Sequence, residues 1–135
     1  MTAWFVDANV FLRFLTLDDR GQHEKAARLF ESARRGECRL VTGPPVLFEV
    51  AWTLRAAYKV PKDRVLEALS AVFAMPEMSL TDAALVAAAL SLAAATGAEF
   101  ADAYVAASGR AAECTGVATF NRKDFQKLGV SLAEL

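Results

Sequence analysis

Short apolar runs that alternate with longer helical patterns constrain the fold of this chain more than any other feature. The runs suit short strands and lie at residues 4–6, 39–42, 78–80, 116–119 and 130–132. Between them, apolar spacing and helix-start and helix-stop residues predict helices at 22–34, 45–58, 62–74, 82–95 and 101–112. Because strands that alternate with helices form a parallel sheet, we expect a three-layer α/β/α fold with a short, mainly parallel central sheet.

Size and charge narrow the class of protein. The 135 residues correspond to one domain, 1–135, and 15 Lys and Arg against 16 Asp and Glu argue against a polycation that coats nucleic acid. The longest segment without charge, 83–98, is too short to span a bilayer, and the first residues do not resemble a signal peptide. Cys38 and Cys114 form no CxxC pair. We therefore expect a cytoplasmic protein without a structural zinc site or a membrane segment.

Three carboxylates stand alone in apolar stretches. Asp7 is the only charged residue in 1–12, Glu49 in 41–54 and Asp102 in 100–109. An isolated buried charge is very costly, and these stretches contain no Lys or Arg to compensate it. Several carboxylates that meet at one place repel each other unless a divalent cation lies between them, and such oxygen ligands favour Mg²⁺ or Mn²⁺ over zinc. The pattern indicates a candidate metal site.

Each acid also has a structural interpretation. Asp7 and Asp102 could be helix N-caps, and Glu49 could lie on the solvent face of its helix. Asp124 lies in a polar segment that reads as a solvated loop, where Asn121 could be a turn former. In favour of convergence, Asp7 follows the first strand and Asp124 follows the 116–119 strand, and ligands of parallel sheets sit beyond the carboxyl ends of strands.

Other catalytic templates find no support. The single histidine, His23, is at a helix start where we expect it to be solvated, so no Ser-His-Asp or Cys-His pair can be built elsewhere. The chain contains no Gly-rich phosphate loop. Arg122 and Lys123 flank the proposed acidic pocket and could hold a phosphate backbone.

Four segments together resemble the PIN (PilT N-terminus) domain, in the same order and spacing over essentially the whole chain. Within that family the chain is similar to VapC-type toxins of bacterial toxin–antitoxin pairs. The segments are FVDANVFL at 5–12, followed by Asp18 and Asp19, VLFEVAWTL at 46–54, FADAYVAA at 100–107 and ATFNRKDF at 118–125.

The resemblance implies a Mg²⁺-dependent ribonuclease whose acids gather at the strand ends. By position, Asp7, Glu49 and Asp102 match the first three acids and Asp124 the acid of the closing motif. We expect Asp7 and Asp102 to be metal ligands, with Mn²⁺ a possible substitute, and Glu49 and Asp124 to help by orienting water or accepting its proton. Asn121 stands where many members have another Asp, so the number of metal ions stays open.

The resemblance also implies partners: an RNA substrate, a small antitoxin protein and a second copy of the chain. The apolar helix at 46–58 with Trp52 supports the homodimer. For the antitoxin, Phe14 and Trp52 are possible anchors, although we expect both in the core.

Two alternatives remain. A haloacid-dehalogenase-like phosphatase would use Asp7 as its nucleophile, but that motif needs an acid two residues later, where Asn9 stands. A PIN-like module that has lost its chemistry and only binds a partner would be consistent with Asn121.

Overall fold

The computed structural model describes residues 2–135 and contains three strands and seven helices in that range. In chain order they are β1 (Ala3–Phe5), α1 (Ala8–Leu15), α2 (Arg20–Arg34), β2 (Arg39–Thr42), α3 (Pro44–Ala56), α4 (Lys62–Ala74), β3 (Met78–Leu80), α5 (Ala83–Thr96), α6 (Phe100–Ala111) and α7 (Arg122–Gln126). The predicted strands at 39–42 and 78–80 and the predicted helix at 62–74 are confirmed at these bounds.

The strands form one parallel sheet in the order β1-β2-β3. Trp4 pairs with Leu40, and Leu40 pairs with Met78. Because all three strands run the same way, their carboxyl ends lie at one edge of the sheet, which we call the carboxyl edge. The predicted α/β fold class, of three-layer PIN-like type, is confirmed.

The core has two parts. The larger one joins side chains of the sheet with α1 to α6, and includes Phe11, Phe30 and Leu69, which are almost fully buried. The smaller one packs α5 and α6 against Phe125 and Leu128. Its α5 and α6 residues are alanines, whose small side chains let these helices approach closely.

The chain differs from the sequence prediction at its first strand and near its end. Trp4 and Phe5 are 55% and 60% exposed, so the expectation of a buried strand is wrong except at Val6. β1 is an edge strand, and all three of its residues are exposed. Residues 116–119 and 130–132 are not strands, because Val117 and Leu132 form only an isolated bridge. An apolar run indicates a strand but does not say which backbone will complete its hydrogen bonds.

Several side chains also differ from their predicted surroundings. Residues 121–124 are not a loop as expected, because Asn121 is the N-cap residue of α7 and 122–124 belong to this helix. Thr81, the predicted N-cap of α5, is replaced in that position by Asp82. His23 is half-buried, where its ring lies parallel to Phe14 at 5.9 Å and Nδ1 bonds the Arg13 carbonyl. Trp52, expected in the core, is 71% exposed because α3 packs through its other face.

The helices in residues 2–135 include none with the length and apolar character that crossing a bilayer requires. Cys38 is buried, Cys114 is exposed, and both are free thiols.

Candidate active site

Asp7 lies at the carboxyl edge, directly after the segment that ends β1. The preceding residue, Val6, is held by Thr42, whose hydroxyl donates to the Val6 carbonyl at 3.0 Å and is fully buried. Asp7 occupies the N-cap position of α1, but its side chain makes no capping hydrogen bond and is exposed. Asp7 is therefore the N-cap residue of α1 by position, as the structural interpretation predicted, but its carboxylate caps no N–H and is free to bind a ligand.

The end of β3 brings a further acid to the same edge. A Cβ atom added to Gly43, after β2, would clash with the Thr81 hydroxyl, so the two strand ends approach closely here. Asp82 follows in a left-handed conformation with φ of 52°. Burial raises the pKa of Tyr104 on α6, and the charge of Asp82 raises it further. The sequence analysis missed Asp82, although its position after a strand was a usable signal.

Glu49 lies on the solvent face of α3. The exposed positions of this helix are Pro45, Glu49, Trp52 and Ala56, whose spacing of three and four residues forms one stripe. The surface interpretation of Glu49 is therefore correct for its location. Because the side chain is exposed, it can still contact a bound molecule.

Asp102 and Asp124 are brought together. Both line a cavity of about 210 Å³, which we call the charged cavity. Burial raises the pKa of Asp102, and the charges of Asp124 and Glu99 raise it further, whereas Lys127 lowers it. Asp102 lies inside the first turn of α6, with Glu99 at the N-cap position, so it does not cap this helix. Neighbouring negative charges at a half-buried carboxylate are typical of a site that binds a cation.

Asp124 is held from two sides. The Asn121 amide donates to its Oδ2 at 3.0 Å, and the Lys127 ammonium lies 4.0 Å from its Oδ1. Asn121, which departs from the family pattern, thus orients the neighbouring carboxylate.

The sequence analysis missed the basic residues and the third acid of the charged cavity. Lys62 and Lys127 line it together with Glu99. Arg55 of α3 donates from Nε and Nη2 to Glu99 Oε1 at 3.0 and 2.8 Å. Glu99 precedes Asp102 by three residues, one helical turn, which could have identified it.

Not all of the predicted acids meet. Asp7 and Glu49 do not line the charged cavity. Across residues 2–135, three or more His, Cys, Asp or Glu side chains are nowhere grouped so that they could hold a metal ion. In the same range, no salt bridge ties Asp7, Glu49 or Asp102 to a basic side chain.

The donor set that does meet fits a hard divalent cation. Asp102 and Asp124 supply carboxylate oxygens, and Mg²⁺ needs only one or two direct carboxylates because it keeps several waters. A cation between the two acids would offset the repulsion that raises the pKa of Asp102.

The parallel α/β sheet with acids beyond its strand ends, and the cavity that joins three further carboxylates, are the arrangement expected of a hydrolase of the α/β class that uses a divalent metal. The model of the PIN domain matches residues 4–130, nearly the whole chain, and the chain therefore belongs to the PIN domain family. PIN domains are generally nucleases, which indicates a nuclease-like hydrolase that acts on nucleic acid, and they usually use divalent metal ions. The match favours this class over the phosphatase alternative. A search of curated proteins found no match.

Proposed function

We propose that the protein is a divalent-metal-dependent endoribonuclease whose catalytic residues are Asp7, Glu49, Asp102 and Asp124. The observation that carries the proposal is the pair of Asp102 and Asp124 in one cavity, in a chain of the PIN domain family. The raised pKa of Asp102 supports a cation at this place, because a positive charge would stabilise its ionised form.

Asp102 and Asp7 are the proposed metal ligands: Asp102 lines the charged cavity, whereas Asp7 does not, and its role rests on the family resemblance alone. A bound Mg²⁺ or Mn²⁺ supplies positive charge that stabilises the negative charge developing on the phosphate during hydrolysis. Lys62 and Lys127, which line the charged cavity, attract the phosphate backbone. The Asp124 carboxylate, oriented by the Asn121 amide, accepts the proton of the attacking water. Glu49, on the exposed stripe of α3, orients that water or completes a second metal site.

The test is cleavage of a single-stranded RNA by the purified protein with Mg²⁺ or Mn²⁺ and with EDTA. We expect activity only with metal, and a loss of about 100-fold or more in Asp102→Asn and Asp7→Asn. Glu24→Gln, which removes one exposed carboxylate of α2, is the matched control and should keep wild-type activity. Metal-independent cleavage, or equal activity of wild type and Asp102→Asn, would contradict the proposal.

We extend the proposal to a biological role as the toxin of a toxin–antitoxin pair that acts in the cytoplasm. The support is the resemblance of the four acidic segments to VapC-type toxins. Expression of the wild type should arrest bacterial growth, whereas Asp102→Asn should not, and co-expression of a small antitoxin should restore growth. Equal growth with both forms would remove the support for the toxin role.

The homodimer also remains a prediction. It rests on the family resemblance, because the exposed stripe of α3, which the sequence also suggested as a dimer surface, carries the Glu49 carboxylate that a dimer would bury. Light scattering at micromolar concentration tests it, and a strict monomer would contradict it.

One observation favours a second function, a PIN-like module that binds without cleaving: residues 2–135 contain no group of three acids arranged for a metal. Calorimetry with Mn²⁺ separates the two functions. Binding that Asp102→Asn abolishes supports the nuclease, and a lack of Mn²⁺ binding supports the module.

A further inference from the structure

A second cavity adjoins the charged cavity and has a different character. Its volume is about 410 Å³, and it lies between α3 and the start of α6. We call it the aromatic cleft, and the side chains that matter here are Phe48, Trp52 and Phe100, with Arg55, Glu99 and Asp102 at its polar side. Its size is within the range of cavities that hold small organic ligands.

The floor of the aromatic cleft is rigid. Phe48 packs against Phe100 with ring centres 5.5 Å apart and against Tyr104 at 4.9 Å with the rings nearly perpendicular. Phe100 is 4% exposed. Side chains fixed in this way offer a surface that needs no ordering when a ligand binds.

Trp52 lies on the same helix as Phe48, one turn later, but its side chain is exposed to solvent. Its side chain is 71% exposed. A tryptophan left in water at the rim of a rigid apolar cavity has a large flat face on which another ring can stack.

The two cavities share a wall. Glu99 and Asp102 line both of them. On one side of this wall are the aromatic rings, and on the other side are Lys62, Lys127 and the Asp124 carboxylate, where a divalent cation would offset the acids. A ligand that fits both sides has a flat ring joined to a phosphate, which is the composition of a nucleotide.

We propose that the aromatic cleft is a base-binding subsite for single-stranded RNA, in which an unpaired base stacks on Trp52 while the adjoining phosphate lies in the charged cavity. The inference rests on the proposed nuclease function and names its substrate class. Stacking of this kind requires a base that is not paired, so duplex RNA does not fit. Every base has a π face, so the subsite tolerates different sequences.

A second copy of the chain is the competing occupant of Trp52. Glu49 shares the exposed stripe of α3 with Trp52 and makes no salt bridge in residues 2–135. A dimer that buried this stripe would also bury the Glu49 carboxylate, at considerable cost. The observations therefore favour RNA at this place, and a homodimer would use another surface.

The experiment measures the affinity of a short single-stranded RNA by anisotropy of a label on the RNA, with Ca²⁺ in place of Mg²⁺ so that a cation offsets the acids of the charged cavity while cleavage is slowed. We expect Trp52→Ala to bind about 5- to 160-fold more weakly than wild type, because stacking contributes that much per base. Trp52→Phe, which keeps an aromatic face, should regain most of the affinity. Leu17→Ala removes an exposed apolar side chain of the α1–α2 loop and is the matched control, with no expected change.

A direct signal of stacking comes from fluorescence. The chain has two tryptophans, so Trp4→Phe leaves Trp52 as the single emitter. Addition of single-stranded RNA should quench this emission, and an RNA duplex of the same sequence should not. With metal present, Trp52→Ala should raise KM while kcat stays near wild type, as expected for loss of binding alone.

These experiments distinguish failure of the base-binding subsite from failure of the proposed nuclease function. If wild type binds and cleaves RNA but Trp52→Ala does so equally well, the base-binding subsite is wrong and the nuclease function stands. If Trp52→Ala converts a dimer into a monomer and Trp52 emission does not respond to RNA, Trp52 belongs to a dimer interface and the inference is overturned. If wild type neither binds nor cleaves single-stranded RNA, the proposed function falls and the subsite falls with it.

Discussion

The buried hydroxyl of Thr42 connects stability to the position of Asp7, so Thr42→Val is an informative perturbation. Valine has nearly the same shape but cannot donate to the Val6 carbonyl, which Thr42 reaches at 3.0 Å. Thr42 is 0% exposed and Val6 is 2% exposed, so water does not readily replace the lost donor. In Thr42→Val the carbonyl of Val6, the residue before Asp7, therefore loses the hydroxyl that donates to it.

The change in the free energy of unfolding of Thr42→Val is the difference between a loss and a gain. Loss of a buried hydrogen bond with one partner left behind costs about 1 to 3 kcal/mol. The added methyl group in place of the hydroxyl returns less than about 1 kcal/mol. The free energy of unfolding should therefore fall by about 1 to 2 kcal/mol. With an unfolding entropy of about 2.1 cal/mol/K per residue over the chain of 135 residues, Tm should fall by about 4 to 7 °C.

Calorimetry and urea unfolding measure the loss, and Thr42→Ser is the matched control. Serine keeps the donor and loses a methyl group, which costs about 0.5 to 1.5 kcal/mol on its own. On the proposed function, the serine variant should keep metal-dependent RNA cleavage, whereas the valine variant should lose part of it because Asp7 shifts. A Thr42→Val protein as stable as wild type would refute the role of the hydrogen bond.

Two further predictions concern ionisation. Burial and the charge of Asp124 raise the pKa of Asp102, so its charged form opposes folding. Asp102→Asn should raise Tm at pH 7 in EDTA, and the gain should vanish below about pH 3.8, the ordinary pKa, where Asp102 is neutral in both states. A lower Tm at pH 7 would contradict this. The hydrogen bond from Tyr58, at 2.6 Å, is the main reason why the pKa of Asp18 falls to about 2. Its stabilising effect is present above pH 3.8 and is lost as pH falls towards 2. Tyr58→Phe should bring the pKa of Asp18 back towards 3.8 in a carboxyl NMR titration, whereas Thr16→Ser, which keeps its hydroxyl, should not; an unchanged value in Tyr58→Phe would disprove the assignment.

Local pattern was sufficient for much of the fold. Residues 62–74 carry apolar side chains at helical spacing after Pro61, and the helix has those bounds. Residues 39–42 are a short apolar run before Gly43 and Pro44, and they form β2. These elements are determined by neighbours along the chain, so a single sequence predicts them.

The site was predictable only in part. The lone position of Asp102 in an apolar segment marked it, and the structure gives it a half-buried, negatively charged environment. Glu99 and Lys62 escaped notice because their role depends on α4 and α6 lying beside one cavity. The predicted burial of Trp52 was wrong because an aromatic residue in an apolar helix gives no indication of which face will be covered.

The sequence by itself determined the alternation of strands and helices, the family and the acids that stand apart from basic residues. Tertiary structure alone decided which acids meet, namely Asp102 with Asp124, and left residues 116–119 with an isolated bridge instead of a ladder. The physical reason is the difference between local and long-range interactions. The periodicity of apolar residues depends on neighbours along the chain and predicts which face of a helix or strand is buried, whereas pairing between distant segments depends on how those faces pack together.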